Sequence, residues 1–212
     1  MCHICEQKPV YEFTNKRKLC KNCYIKWFEK KFLYTIRKYN LINKNETILI
    51  KFKDNFRDAV LFYLLDFYSK QNNVRIIKNG KLKSHQPFSS PHSSMDYSRV
   101  NSRPLPPTCN KIAISNSLDL NSYGFIKLLR NKLSKQRLSN FLPVRKKIIQ
   151  PLFFFLDKEI LLYAELKGLK YKKEKCKKNN WNEFIDELEK KHPEIKNALM
   201  NSYLKILFNK DI

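Results

Sequence analysis

Glycine is almost missing from this chain: Gly80, Gly124 and Gly168 are the only three in 212 residues. Backbone N–H groups that cradle a phosphate need close approach, unusual φ/ψ and no Cβ in the way. None of the three lies at a strand-to-helix turn, which argues against nucleotide hydrolysis or adenylation. Acidic residues are also scarce, with Asp and Glu numbering 19 against 43 Lys and Arg, for a net charge of +24. Long apolar runs are lacking; Pro151 to Leu156 is too short to cross a membrane and ends at Asp157. No secretory signal peptide precedes the first cysteine, so the expectation is a soluble, cytoplasmic protein with reduced thiols. No HExxH, paired-carboxylate or charge-relay motif is present. Cys109 and Cys176 are isolated and read as small hydrophobes rather than nucleophiles.

What the chain does have is two cysteine pairs at its start, Cys2-His3-Ile4-Cys5 and Cys20-Lys21-Asn22-Cys23, with fourteen residues between them. Each CxxC turn puts two sulfurs on one side of a tight knuckle. The intervening Glu6 to Leu19 is long enough to fold back as a hairpin and bring the knuckles together. Four thiolates at this spacing close a tetrahedral site for Zn²⁺. With no open coordination position, such a site is structural. Disulfides fit a reducing compartment poorly, and a redox CxxC normally comes alone beside a βαβ unit. His3 lies inside the first knuckle and could compete as a ligand, although four cysteines suffice.

The positive charge is clustered at Lys16 to Lys38, at Arg145 to Lys147 and at Lys170 to Lys178. An AT-rich genome would by itself enrich Lys, Asn and Ile. The clustering favours a polyanionic partner, RNA before DNA because no DNA-reading motif is visible. Arg17, Lys18, Lys21, Arg37 and Lys38 are the candidate phosphate contacts. Tyr24 and Trp27 could stack on unpaired bases if exposed, though rings at helical spacing are more often core.

The length suits one medium domain with a small appendage. Residues 1–40 read as a zinc module followed by a basic aromatic helix, Tyr24 to Tyr39. Residues 41–212 read as an α/β domain. Its strands are expected at Glu46–Phe52, Val74–Lys78, Lys111–Ser115 and, short or extended, Lys147–Pro151. Its helices are expected at Asn55–Lys70, Asn121–Leu138, Lys158–Lys167, Trp181–Lys191 and Pro193–Phe208, with Asp157 as a cap and Gly168 as a stop. Strands alternating with helices predict a parallel sheet. Between about 84 and 108 lie five of the nine prolines and many serines, which predicts a loop or disordered insert; His85 and His92 read as solvated residues within it. Ligands of such sheets sit at the carboxyl ends of the strands. The first turn there, Lys53-Asp54-Asn55-Phe56-Arg57-Asp58, has no glycine; Asp54 would repel a phosphate and Phe56 would crowd it.

The order of CxxC–CxxC module, basic aromatic helix and parallel α/β domain resembles the tRNA thiolation proteins of the PP-loop superfamily. The expected ATP-binding SGGxDS falls on Lys53 to Asp58, where the Ser and both Gly are lost. The C-terminal half, with Cys109-Asn-Lys-Ile-Ala-Ile-Ser-Asn-Ser117, Lys147-Ile-Ile-Gln-Pro-Leu152 and Asp157-Lys-Glu-Ile-Leu-Leu-Tyr-Ala-Glu-Leu166, resembles the cytoplasmic tRNA 2-thiolation protein 2 family; Gln150 stands where that family prefers Arg. The resemblance implies a Rossmann-like, adenine nucleotide alpha hydrolase-like fold with an N-terminal zinc ribbon. It implies a non-catalytic subunit that binds tRNA and pairs with a catalytic PP-loop thiolase, in 2-thiolation of the wobble uridine of tRNAs for Lys, Glu and Gln. Sulfur would come from a thiocarboxylated ubiquitin-related modifier. An active thiolase with an unorthodox ATP site, and a zinc-ribbon protein binding other RNA or DNA, are the rival readings.

Overall fold

The computed structural model describes residues 1–78, 109–130, 141–173 and 180–208. The expected insert at 84–108 lies outside them, as do Gly80, Cys176 and the 131–138 part of the third expected helix.

The N-terminal module is a small antiparallel hairpin, β1 (Tyr11–Glu12) and β2 (Lys18–Leu19), leading into α1 (Lys21–Lys38). The sheet of the α/β part has five strands in the order β4-β3-β5-β7-β6: β3 is Thr47–Ile50, β4 Arg75–Lys78, β5 Lys111–Ala113, β6 Val144–Arg145 and β7 Ile148–Ile149. Four strands are parallel; β6 pairs antiparallel with β7 at the edge. The helices are α2 (Phe56–Asn72), α3 (Leu118–Arg130), α4 (Asp157–Leu166), α5 (Asn180–Lys191) and α6 (Ile195–Phe208).

β3 carries Ile48 and Ile50 fully buried, as an inner strand of a sheet covered by helices should. β7 falls within the expected Lys147–Pro151 segment; β6 and its antiparallel pairing were not expected, because a two-residue strand offers no periodicity to read. α2 starts where Asn55, in extended conformation, accepts a bond from the Asp58 N–H at 2.9 Å, an N-cap that satisfies one orphan donor. α3 begins earlier than expected, since the Ser117 hydroxyl accepts from the Leu120 N–H at 3.2 Å. Asp157 is not the cap of α4 but its first residue. The capping position is Leu156, whose N–H is bonded by the Glu159 carboxylate at 3.1 Å. Asp157 is thereby freed to hold a cation. The stop at Gly168 is as expected: its φ is +64°, and the Gly168 and Leu169 N–H groups close back on Glu165 and Ala164, a Schellman arrangement.

One hydrophobic core runs from the cysteine module into the sheet. Cys2, Leu19, Tyr24 and Phe28 belong to it together with Ile48, Leu61, Leu64, Phe155 and Tyr163. Phe28 stacks on Tyr163 with ring centres 4.2 Å apart and meets Phe155 at 4.5 Å. α1 is therefore an integral part of the packing. A second core, around Leu118, Phe125, Phe153, Met200 and Tyr203, joins α3 to α6.

Candidate metal centre and the first strand-to-helix turn

The chain folds back through the hairpin so that both knuckles meet. The first knuckle closes through the Glu6 N–H on the Cys2 carbonyl at 3.2 Å, with Glu6 in the left-handed region at φ +60°. The second is built into the start of α1: Cys20 is its N-cap residue and Cys23 lies in its first turn. The ligand atoms of Cys2, Cys5, Cys20 and Cys23 all lie within 4.8 Å of one another. Cys5 Sγ is 3.3 Å from Cys20 Sγ and 3.5 Å from Cys23 Sγ. Sulfurs on a tetrahedral Zn²⁺ at ~2.3 Å would sit about 3.8 Å apart. The four cysteines can thus hold a single metal ion. The thiols are unequal: burial opposes ionisation of Cys2, but N–H groups of Cys20, Ile4 and Cys5 outweigh it and bring Cys2 down to about 6. Cys23 is pushed up to about 12 by burial and by the sulfurs around it. His3 does not compete in this arrangement. Its Nδ1 accepts the Lys18 N–H at 3.2 Å, which ties the first knuckle to β2.

The basic residues of the module fall into two groups. Arg17, Lys18 and Lys21 lie at the hairpin and the start of α1; Arg37 and Lys38 lie at its end, about 25 Å away by helical rise. Lys21, Arg37 and Lys38 are exposed. Arg17 rests over the Phe13 ring at 5.3 Å, Lys18 pairs with Glu12 at 3.3 Å, and Lys38 leans between Tyr34 and Tyr39. Tyr24 cannot stack on a base. It is fully buried, and its hydroxyl donates to the Glu159 carbonyl at 2.8 Å. Trp27 is half-buried against Tyr11, Phe13, Tyr24 and Phe28, with the Lys31 ammonium 4.9 Å from its ring centre.

The turn from β3 to α2 is where the sheet would bind a nucleotide. Its own side chains occupy it. Asp58 is fully buried; its carboxylate accepts the Lys53 backbone N–H at 2.5 Å and the Ser115 hydroxyl. An N–H that could serve an anionic ligand is thus already bonded to a resident carboxylate. Burial raises the Asp58 pKa above the usual carboxylate range, against the pull of Ser115 and the Lys53 N–H. Arg57, 5% exposed, makes two bonds to Asp157, Nε to Oδ1 at 2.7 Å and Nη2 to Oδ2 at 2.5 Å. Asp54 takes the left-handed φ of +68° that glycine would adopt without strain. It is held there from both ends: Lys172 N–H donates to its carbonyl at 2.8 Å and the Lys172 ammonium pairs with its carboxylate at 3.1 Å. Phe56 packs edge-on to Tyr171 and under the Arg57 guanidinium. Cys109 is buried, with its thiol donating to the Lys111 carbonyl at 3.1 Å.

Sequence reasoning missed a buried ionic network behind this turn. The Asp157 N–H donates to Asp119 at 2.6 Å, and Asp119 meets the Lys196 ammonium at 2.5 Å. Lys196, 2% exposed, also meets Glu189 at 2.6 Å, Asp186 at 3.1 Å and the Tyr123 hydroxyl at 3.2 Å. Burial opposes the charge on Lys196, yet Asp119 and its other anionic partners hold its pKa above the ordinary range. The contacts join α2, α3, α4, α5 and α6. No local spacing signals them, because the partners are spread over several helices far apart in the chain.

No known protein family's sequence profile matches the chain, and no curated protein matches it. Among solved structures, the U34-tRNA thiolase NcsA from Methanococcus maripaludis, determined with its [4Fe-4S] cluster, superposes with a TM-score of 0.70. The match covers 97% of this chain and 86% of that one at 19% sequence identity. The chain shares the fold of that structure, a mostly parallel α/β sheet with helices. At this identity the likeness establishes architecture, and the first turn must be read from its own residues. Among the described residues, no helix is long and apolar enough to cross a membrane.

Proposed function

We propose that this chain is a non-catalytic, tRNA-binding subunit in 2-thiolation of the wobble uridine of tRNAs for Lys, Glu and Gln. Its partner is a catalytic PP-loop thiolase with which it forms a heterodimer in the cytoplasm. Sulfur reaches that partner from a thiocarboxylated ubiquitin-related modifier. The observation that carries the reading is the combination of a thiolase fold with a first turn filled by Asp58, Arg57 and Phe56. Loss of the serine and both glycines alone leaves room for another nucleotide site. A buried carboxylate bonded to the turn's own N–H favours a turn that holds none.

Residues 1–40 serve in this reading as the zinc-ordered, RNA-facing module, and 41–212 as the degenerate PP-loop-like domain that meets the catalytic subunit. Zinc at Cys2, Cys5, Cys20 and Cys23 is supported by the sulfur spacing, which suits one small ion. An iron–sulfur cubane would spread its thiolates around a much larger body. Outside this quartet the chain has only Cys109 and Cys176. A three-cysteine cluster site in the α/β domain cannot be assembled from those two. When bound, zinc supplies structure rather than chemistry: it neutralises the thiolates and fixes the hairpin against α1.

Affinity purification from the native cell, followed by mass spectrometry and sequencing of bound RNA, tests the assignment. A PP-loop thiolase and tRNA in the eluate are the expected result. Recovery of DNA or ribosomal RNA with neither of these would replace it with a zinc-ribbon protein of another pathway.

A further inference from the structure

The carboxyl edge of the sheet carries an unassigned basic face. β3, β4 and β5 end in register there: Ile50 pairs with both Lys78 and Ala113, and the Lys51 N–H continues onto the Ala113 carbonyl at 3.1 Å. The trailing residues Lys51, Lys53 and Lys78 therefore emerge at one edge, with Lys53 and Lys78 exposed. The segment after α4 crosses the same place, since Lys172 is bonded to Asp54 through both backbone and side chain. That contact brings exposed Lys173 alongside. Lys78 is supported by the Phe62 ring at 3.6 Å and the Phe52 ring at 5.1 Å, which steady the ammonium without neutralising it.

The acidic groups of the same region are turned to internal use. Asp58 is buried against Ser115 and the turn backbone, Asp157 is held by Arg57, and Asp54 is paired with Lys172. Lys172 spends its charge on Asp54, and the edge still carries more lysines than acidic side chains. A nucleotide phosphate needs the turn's N–H groups, and the Lys53 N–H is taken. An RNA phosphate backbone needs only spaced, exposed cations. Nor is the face isolated from the cysteine module. The first turn of α4 grips both, Asp157 holding Arg57 of the closed turn and Glu159 holding Lys31 of α1 at 2.9 Å.

We propose that Lys51, Lys53, Lys78 and Lys173 form a second phosphate-contacting face for RNA, laid over the site that a nucleotide would occupy in a glycine-rich relative of this fold. It rests on the tRNA-binding reading above and adds a contact surface beyond the zinc module.

The test is salt-dependent binding of tRNA by the zinc-loaded full chain, measured by fluorescence anisotropy between low and moderate salt. Lys172 is left intact because it supports Asp54. The variant Lys51→Gln/Lys53→Gln/Lys78→Gln/Lys173→Gln is expected to flatten the log–log salt slope by about 3 and weaken binding at least ~10-fold. Thermal melts check that it folds; if it does not, single Lys53→Gln and Lys173→Gln variants are each expected to lower the slope by about 1. An unchanged slope in a folded variant, while the wild type binds tRNA, overturns the second face and leaves the tRNA reading standing. A wild type that binds no tRNA removes both. A variant that keeps its tRNA affinity but loses an acidic protein partner assigns the face to protein and also overturns the proposal.

Discussion

Two loops of this molecule each gather groups that could serve a ligand, and they end in opposite states. In the cysteine module the hairpin turns four sulfurs toward a common centre, while His3 is drawn off to bond the neighbouring strand. In the turn from β3 to α2 the candidate donors face inward as well, but carboxylates take them: Asp58 accepts the Lys53 N–H and Asp157 accepts from Arg57. The first loop offers four sulfurs that can hold one cation. In the second, the Lys53 N–H and the Arg57 guanidinium already have acceptors. A fold alone does not specify which groups of a loop stay available to a ligand; the side chains within each loop decide.

The largest effect expected from breaking this comparison is on the module. Cys20→Ser should abolish stoichiometric metal binding and loosen the hairpin from α1, because structural zinc supplies on the order of 10 kcal/mol of apparent folding free energy in small modules. Metal analysis of the purified variant, with Trp27 fluorescence as the conformational readout, checks this. Since Cys2 and Cys20 belong to the main core, the melting temperature of the whole chain should also fall. Retention of one zinc per chain would show that another ligand replaces Cys20.

Next is the ionic network behind the closed turn. Lys196→Ala should destabilise the chain by about 3–5 kcal/mol, because it leaves Asp119 buried without its cation. Lys196→Ala/Asp119→Leu should recover part of that loss, as measured by urea denaturation. Equal destabilisation in the single and double variants would mean that the pair is not the source.

A smaller and pH-dependent effect sharpens the role of Asp58. Its pKa is raised in the folded state by burial. The stability linked to its protonation is therefore complete below the unfolded carboxylate pKa and is lost as pH rises through the folded value. Relative to Asp58→Asn, which cannot titrate, the wild type should be more stable in acid than at neutral pH. Denaturation of both proteins at pH 4 and pH 7 gives the sign, with the shared metal site cancelling in the difference. A gain of wild type over variant on raising the pH would contradict the assignment. The smallest effect expected is at Gly168, where a Cβ would meet nothing within 4 Å; Gly168→Ala should cost only ~1 kcal/mol, the strain of its φ of +64°.

Features written in neighbouring residues were legible from the chain itself. The four cysteines come as two local pairs, the absence of glycine at Lys53 to Asp58 is visible in one line, and Gly168 stops α4 as its position suggests. The strand and helix alternation likewise yields a mostly parallel sheet, with some boundaries shifted by a few residues. What sequence could not show is how the turn is filled. Asp58 meets Ser115 from a different strand end, and Arg57 meets Asp157 a hundred positions away. In the sequence Asp54 is the carboxylate that would repel phosphate and Asp58 only the last residue of a glycine-free turn; after folding, Asp58 is a resident acceptor bonded to the turn's own N–H. Tyr24 is similar: its spacing in α1 is clear, but its burial against Tyr11 and its bond to the Glu159 carbonyl of α4 appear only in the fold. The edge strand β6, and with it the hairpin to β7, was hidden because two residues are too few to carry a pattern.

The claim that the first strand-to-helix turn is closed to nucleotides is tested most directly by isothermal titration of the zinc-loaded full chain with ATP and Mg²⁺. The account predicts no saturable heat up to millimolar nucleotide. Saturable binding tighter than about millimolar, lost on Asp58→Arg, would contradict it and restore an active thiolase as the reading of this chain.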